Sequence, residues 1–367
     1  MNGFLRRARA LLCVAGLVLP AAATAAPISV TDMLDRSVTL PAPAKRVVLA
    51  EGRHILTLAL LDRQPLSLVA AWGNDLRRFS PETYAALGSA FPEVDAIPDV
   101  GGLGNGSFSM EAVIKARPDL VLFTLYGPPP EGIRKLDEAG IPYVFVDFFR
   151  DPLTKTVPSL RLLGRVLDRE AQAEEFISFY ESHMAGVAGR LKTVSRRPDV
   201  LFHLNPDGKD CCYSSGPGNM TDFIAAAGGR NIGADVIPGS IGKLGLEYVL
   251  SRNPDFYLAG GGSSVTLTGV QIGPGVSADQ AGATLRSVLE APGIRGLKAV
   301  QEGRAGGVWL FFFDNPLFVV GIEGIAKMLH PAAFRDLDPD RTLAELNERF
   351  LPFPLRGTFW TGTGGQP

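Results

Sequence analysis

The segment "SMEAVIKARPDLVLF" at residues 109–123 returns 136 positions later as "GLEYVLSRNPDFYLA" at residues 245–259. Aligned on Glu111 and Glu247, the copies share Val113 with Val249, Pro118 with Pro254, Asp119 with Asp255 and Leu122 with Leu258. Each copy predicts a turn or two of helix, stopped ahead of a proline that bars the preceding residue from the α region. A short apolar strand follows, Leu120 to Phe123 in one copy and Phe256 to Ala259 in the other. A helix–strand unit carried twice constrains the chain to two related halves. Either glutamate can serve its helix electrostatically, since a carboxylate favours the positive end of the dipole, and Ser109 or Gly245 can cap.

With 367 residues and 46% hydrophobic content, two ordinary domains can each bury a core. The opening "ISVTDMLDRSVTL" predicts a small hairpin, followed by a buried strand at Val47 to Ala50, the helix "HILTLALLD" and the strand "LSLVAAW". The order continues through the first copy of the repeat to "GIRKLDEAG" and the strand "YVFVDF". Such alternation implies a parallel α/β sheet whose ligand edge lies at the strand ends. From Ser159 to Ser195 apolar residues recur at helical spacing without a proline, predicting a long helix broken near Asp168. Strand–helix alternation then resumes. The expected fold is α/β: two Rossmann-like three-layer lobes at residues 26–155 and 196–367, joined by a long connecting helix at 156–195.

Residues 1–25 stand apart. Arg6, Arg7 and Arg9 precede an apolar run from Ala10 to Leu19 and the small residues "PAAATAAP", the layout of a secretory signal cleaved after Ala25. Cys13 follows Leu12, unlike a lipid-anchor cysteine, so a free periplasmic protein is expected. Without the signal, 33 Lys plus Arg face 38 Asp plus Glu, a net of −5, which disfavours nucleic acid as a partner. Two cysteines remain, Cys211 and Cys212, either as a vicinal disulfide or as two partly buried thiols.

The "VTDMLDRSVTLPAPAKRVV" opening, the central helix and the two Pro-Asp strands resemble the periplasmic substrate-binding proteins of the iron-siderophore, haem and cobalamin ATP-binding-cassette importers. "GGRNIG" at 228–233 and the tail "NPLFVVGIEGIAKMLHPAAFRDLDP" extend that resemblance over nearly the whole mature chain. It implies two lobes bridged by a rigid helix, a ligand between them, and small lobe movements. It also implies that Glu111 and Glu247, at matching positions of the two copies, dock on arginines of an inner-membrane permease. A monomer with no cofactor is expected, any metal arriving only as part of a bound chelate.

By the strand-end rule, several loops face the cleft. "EGRH" offers Arg53 and His54, and "WGNDLRRF" offers Trp72 as an aromatic platform with Arg77 and Arg78 as planar donor forks for carboxylate or catecholate oxygens. "TLYGPPPEG" offers Tyr126. Across the cleft, "NPDGKDCCYSSGPGNM" offers Lys209 and Tyr213, and "WLFFFDNP" offers Phe312 and Phe313, with neighbouring rings of that strand in the core. Each of these has an ordinary structural role as well: solvated cation, capping histidine or core ring.

"GGLGNG" lacks the dinucleotide spacing, and neither GxSxG nor HExxH occurs. Of four histidines, only His54 and His203 fall near the cleft, a set too poor for a directly held metal. The resemblance therefore implies a periplasmic binding protein for an iron complex, a ferric siderophore first, delivered to an inner-membrane importer. Haem would want an axial Tyr126, Tyr213 or His54, cobalamin would use aromatic walls, and an oxyanion such as molybdate would need a smaller polar pocket. An exported hydrolase or redox enzyme is the reading from a different class, and it lacks a recognisable nucleophile–base or cofactor motif.

Overall fold

A computed structural model describes residues 26–207, 211–264, 267 and 269–363; the predicted signal, residues 1–25, and Lys209 lie outside the described residues. The N-terminal sheet has the spatial order Val69–Trp72, Val47–Leu49, Leu120–Thr124, Tyr143–Val146, with every pairing parallel. The C-terminal sheet runs Arg230–Asn231, Asp199–Leu204, Phe256–Gly261, Ala305–Trp309, Trp360–Gly362. Its first four strands pair in parallel and Trp360–Gly362 adds an antiparallel edge. Counted along the chain within each of these sheets, the first strand lies between the second and the third, so one order is built twice. The strand of the duplicated segment holds the same inner place in both.

The shared aspartates show why the segment recurs. Asp119 accepts hydrogen bonds from the amides of Lys45 and Arg46, both at 2.9 Å, while its own amide donates to the Arg46 carbonyl. Asp255 accepts from the Asp199 amide at 2.9 Å and donates its own to the Asp199 carbonyl. In each lobe this residue ties the start of the inner strand to the approach to the first strand. The preceding helices, Met110–Lys115 and Leu246–Arg252, carry Glu111 and Glu247 in their first turns. Ser109 caps the former through its hydroxyl; Gly245 caps the latter without a side chain. Both end ahead of the proline at a left-handed residue, Arg117 (φ 48°) and Asn253 (φ 43°).

Where the sequence suggests one long helix with a break near Asp168, there are two, Pro152–Leu167 and Glu170–Leu191, with Asp168 left-handed at φ 56°. The chain folds back there, pairing Arg165 with Glu170 at 2.9 Å and Arg161 with Glu174 at 2.7 Å. Gly164 permits the close approach, because a Cβ there would lie 2.8 Å from that of Ala173. The second helix has 22 residues, about 33 Å at 1.5 Å per residue. At its start Arg169 pairs with Asp62 of the N-terminal lobe at 2.8 Å. Farther along, the Tyr180 ring meets Phe318 and His183 Nδ1 lies 2.7 Å from Glu323, both in the C-terminal lobe.

One apolar core runs beneath both sheets and this helix, from Leu49 and Leu122 through Phe176 to Phe202, Leu258 and Trp309. A smaller one covers the other face of the N-terminal sheet, around Val48, Val113, Val121 and Phe145. Adjacent strand residues Val121 and Leu122 fall in different cores, as the period of two requires. Among the described residues, no helix is long and apolar enough to cross a membrane.

Candidate functional site

The cleft is assembled at the C-terminal ends of the parallel strands. Beyond Val47–Leu49 the chain turns tightly through Gly52–His54, and Asp75 braces the turn. Its carboxylate accepts from the amides of Gly52 at 2.5 Å and Arg53 at 3.2 Å and from Arg53 Nε at 2.8 Å. Residue 52 must be glycine, since a Cβ would lie 2.5 Å from the Gly73 carbonyl oxygen. Held this way, the Arg53 guanidinium reaches across the cleft: Nε is 3.4 Å from Asp314, and the group lies 5.1 Å from the centre of the Phe313 ring. Nη2 is 3.5 Å from Glu51. The Tyr126 hydroxyl donates to Asp314 from the N-terminal lobe, and His54 Nε2 bonds the Thr124 hydroxyl.

Burial opposes charge throughout this cluster. At Asp314 burial, reinforced by Glu51, pushes the carboxyl up to about 7. At Tyr126 burial raises the phenol well above its ordinary value, so it remains a donor. Burial also weighs on Arg53, but Tyr126, Asp75, Glu51 and Asp314 outweigh it and hold the guanidinium charged. At Glu51 burial is outweighed by His54 and Arg53, and the carboxyl sits below the ordinary range. His54 is raised despite its burial because Glu51 and Asp314 are beside it.

Above this floor opens a cavity of about 780 Å³. Arg53 and Arg78 supply its cations, Glu51, Asp75 and Glu131 its carboxylates, and Phe79, Phe108, Phe149, Phe313 and Tyr126 its rings. Phe149 and Phe313 meet edge to face across the lobes, their centres 5.8 Å apart. Asn219, which precedes the helix Met220–Ala226, donates to the Phe313 carbonyl at 2.7 Å and the Phe149 carbonyl at 3.5 Å, fixing both.

Of the residues singled out from sequence, Arg53, Arg78, Tyr126 and Phe313 line this cavity. His54 is fully buried behind Thr124 and Glu51. Trp72, expected as a platform, is packed into the core against Tyr84. Arg77 points outward, paired with Asp95 at 3.1 Å and bonded to the Tyr84 hydroxyl. Tyr213 is exposed on the short strand Tyr213–Ser215 and does not line the cavity.

The three consecutive phenylalanines are not on a strand. The strand ends at Trp309, and Leu310–Asp314 forms a helical turn that fans the rings apart. Phe311 turns toward Phe79, Phe312 into the core against Trp309 and Phe359, and Phe313 into the cavity. Phe79, Phe108 and Phe149, which also line the cavity, escaped the sequence reading. A signal for the last of these exists in a second repeat, "FFRDP" at 148–152 and "FFDNP" at 312–316, which makes Phe149 and Phe313 counterparts. Cys211 and Cys212 form a vicinal disulfide. Glu111 and Glu247 are exposed, the former paired with Lys135 at 2.5 Å and the latter flanked by exposed Leu246 and Leu250.

Residues 58–305 match a family model described as periplasmic binding protein. Over 343 residues the chain is 24% identical to the molybdate-binding protein MolA of Haemophilus influenzae, covering 88% of this chain and 90% of that one. A crystal structure of the TroA-like periplasmic binding protein FepB from Veillonella parvula superposes with a TM-score of 0.82 at 26% identity, covering 92% of this chain and 99% of that one. The periplasmic haem-binding protein RhuT from Roseiflexus sp. RS-1 shares the fold, with a TM-score of 0.58 at 20% identity over 79% of this chain and 99% of its own.

Proposed function

The chain belongs to the periplasmic binding protein family, and from that premise we propose that it captures an iron complex, a ferric siderophore, between its lobes and hands it to an inner-membrane ATP-binding-cassette permease. The family and the relatives above are substrate-binding proteins, so the chain is a binding protein and not an enzyme. The observation that carries the iron-complex reading is the cavity: about 780 Å³, with two guanidinium groups and three carboxylates, Glu51, Asp75 and Glu131, set among aromatic rings. That volume lies within the range of small-molecule sites and far exceeds what a bare oxyanion fills. Planar donor forks match carboxylate or catecholate oxygens, and the rings accept the apolar faces of a chelator.

Molybdate is the second reading, favoured by the 24% identity with MolA. Haem is less well served, because the Tyr126 hydroxyl is committed to Asp314 and the His54 ring is buried against Thr124. Native mass spectrometry of the secreted protein mixed with ferric hydroxamates, ferric catecholates, haem, cobalamin and molybdate tests the assignment. A retained ferric chelate is the expected result. Retention of molybdate alone transfers the assignment to the oxyanion, and retention of none of them overturns the iron-complex reading. Delivery, in this proposal, uses Glu111 and Glu247, which stand exposed on equivalent helices of the two lobes.

A further inference from the structure

We propose that Asn219 is the positioning residue of the ligand cavity: its carboxamide fastens Phe149 of one lobe and Phe313 of the other before any ligand arrives, and a strained backbone is accepted in exchange. The proposal rests on the reading that the cavity between the lobes receives the ligand.

Three observations carry it. Asn219 has φ 49° and ψ −122°, outside the left-handed helical well and in a region open mainly to glycine. It also stands immediately before the helix Met220–Ala226, where an asparagine side chain ordinarily accepts from the first free amides. Ser109, Ser277 and Asp338 cap their helices in that way, whereas the Asn219 side chain makes no capping bond. Instead its Nδ2 donates to the Phe313 carbonyl at 2.7 Å and to the Phe149 carbonyl at 3.5 Å. Both partners are acceptors, so only the amino end of the carboxamide can face them. Glycine would suit the backbone and serine the helix; the residue present suits the two carbonyls.

The turn is shaped for this contact. Gly218 has φ 85°, and a Cβ there would lie 2.6 Å from the Arg150 carbonyl oxygen, so the turn sits directly against the backbone that carries Phe149. From the two fastened carbonyls the aromatic wall extends in both directions. The Tyr126 ring lies 4.7 Å from that of Phe149, and the Arg53 guanidinium 5.1 Å from that of Phe313, centre to centre. A wall set in advance spares the ligand the ordering of two lobes, and local strain of this kind persists where the surroundings hold it for such a purpose.

The test compares the secreted wild type with N219G, N219A and N219D. N219G and N219A both lose the carboxamide, but only alanine keeps a Cβ in the strained conformation, so N219G is expected to melt above N219A. Affinity for a ferric trishydroxamate is expected to fall about three- to tenfold in both alike. A merely structural residue would instead move affinity in step with melting temperature. N219D keeps the shape but turns an oxygen toward each carbonyl, and is expected to bind no better than N219A. Without any ligand, the nuclear Overhauser contact between the Phe149 and Phe313 rings is expected in wild type and weakened in N219G and N219A. A ring contact unchanged in both, affinity that tracks melting temperature, or N219G melting no higher than N219A overturns the proposal. If wild type retains no ferric trishydroxamate, that result counts against the chelate assignment, and the ligand-free ring contact and the melting order decide the role of Asn219.

Discussion

Asp222 and Asp151 meet where two helices begin at the lobe junction, and their mutual repulsion adds to burial to lift the Asp222 carboxyl to about 6. An acid whose folded value is raised contributes stability that is complete below its unfolded value, here 3.8, and is lost as pH rises through about 6. D222N, which cannot ionise, is therefore expected to be more stable than wild type at neutral pH. Because Asp222 is only partly buried and lies in a first helical turn that favours negative charge, the gain is discounted to about 1 kcal/mol. Thermal unfolding of both proteins from pH 4 to 8 is the check: the difference should vanish near the acid end, and parallel curves would refute the account. The same scale explains which site residues sequence could reach. Arg53, Tyr126 and Phe313 follow strands directly, so the strand-end rule finds them. Arg77 and Arg78 are neighbours on a helix, about 100° apart, so only one can face the cavity, and nothing local says which. Phe312 and Phe313 pose the same problem once the strand gives way to a helical turn.

At the scale of elements, the two copies of the repeat differ at one informative place. Asn253 adopts the left-handed conformation at little cost, whereas Arg117 holds the same conformation against the strain expected of a branched-free but bulky side chain. Borrowing the residue of its twin, R117N is expected to stabilise the N-terminal lobe by about 0.5–1 kcal/mol. Urea denaturation measures it, and a midpoint unchanged or lowered would show that the Arg117 side chain matters more than its backbone. The short helices and the inner strands were legible because proline and apolar alternation act within a few residues, whereas the ties made by Asp119 and Asp255 were not, since they reach backbone more than 50 positions away. The fold-back at Asp168 was legible only as a break, since the contacts that make two helices pack together, such as Arg161 with Glu174, do not show in periodicity. The "FFRDP" and "FFDNP" pair went unread because each stretch alone looks like a loop.

For the whole molecule, the repeat announced two lobes, and the sheets bear the same strand order. What sequence could not announce was the joint between them, made by Tyr126, Arg53 and Asp314 and by the rings of Phe149 and Phe313, because it joins residues more than 160 positions apart. The two exposed glutamates belong to this scale too. E111K and E247K are expected to abolish uptake singly or together while leaving ligand affinity within about twofold, since charges at a docking rim act on association rather than on a remote pocket. Transport into cells set beside binding by the purified variants decides this; uptake that survives both reversals removes the docking role.

The antiparallel edge strand carries a consequence for the order of folding. Trp360–Gly362 completes a sheet against Ala305–Trp309, and Arg63 donates to the Leu351 carbonyl across 288 residues of chain. Contacts so distant along the chain bear the full entropy of loop closure before they return any energy. Trp360 of that strand belongs to the shared core, so the core is expected to stay open to water until the strand is latched in place, and refolding is expected to be slow by topology.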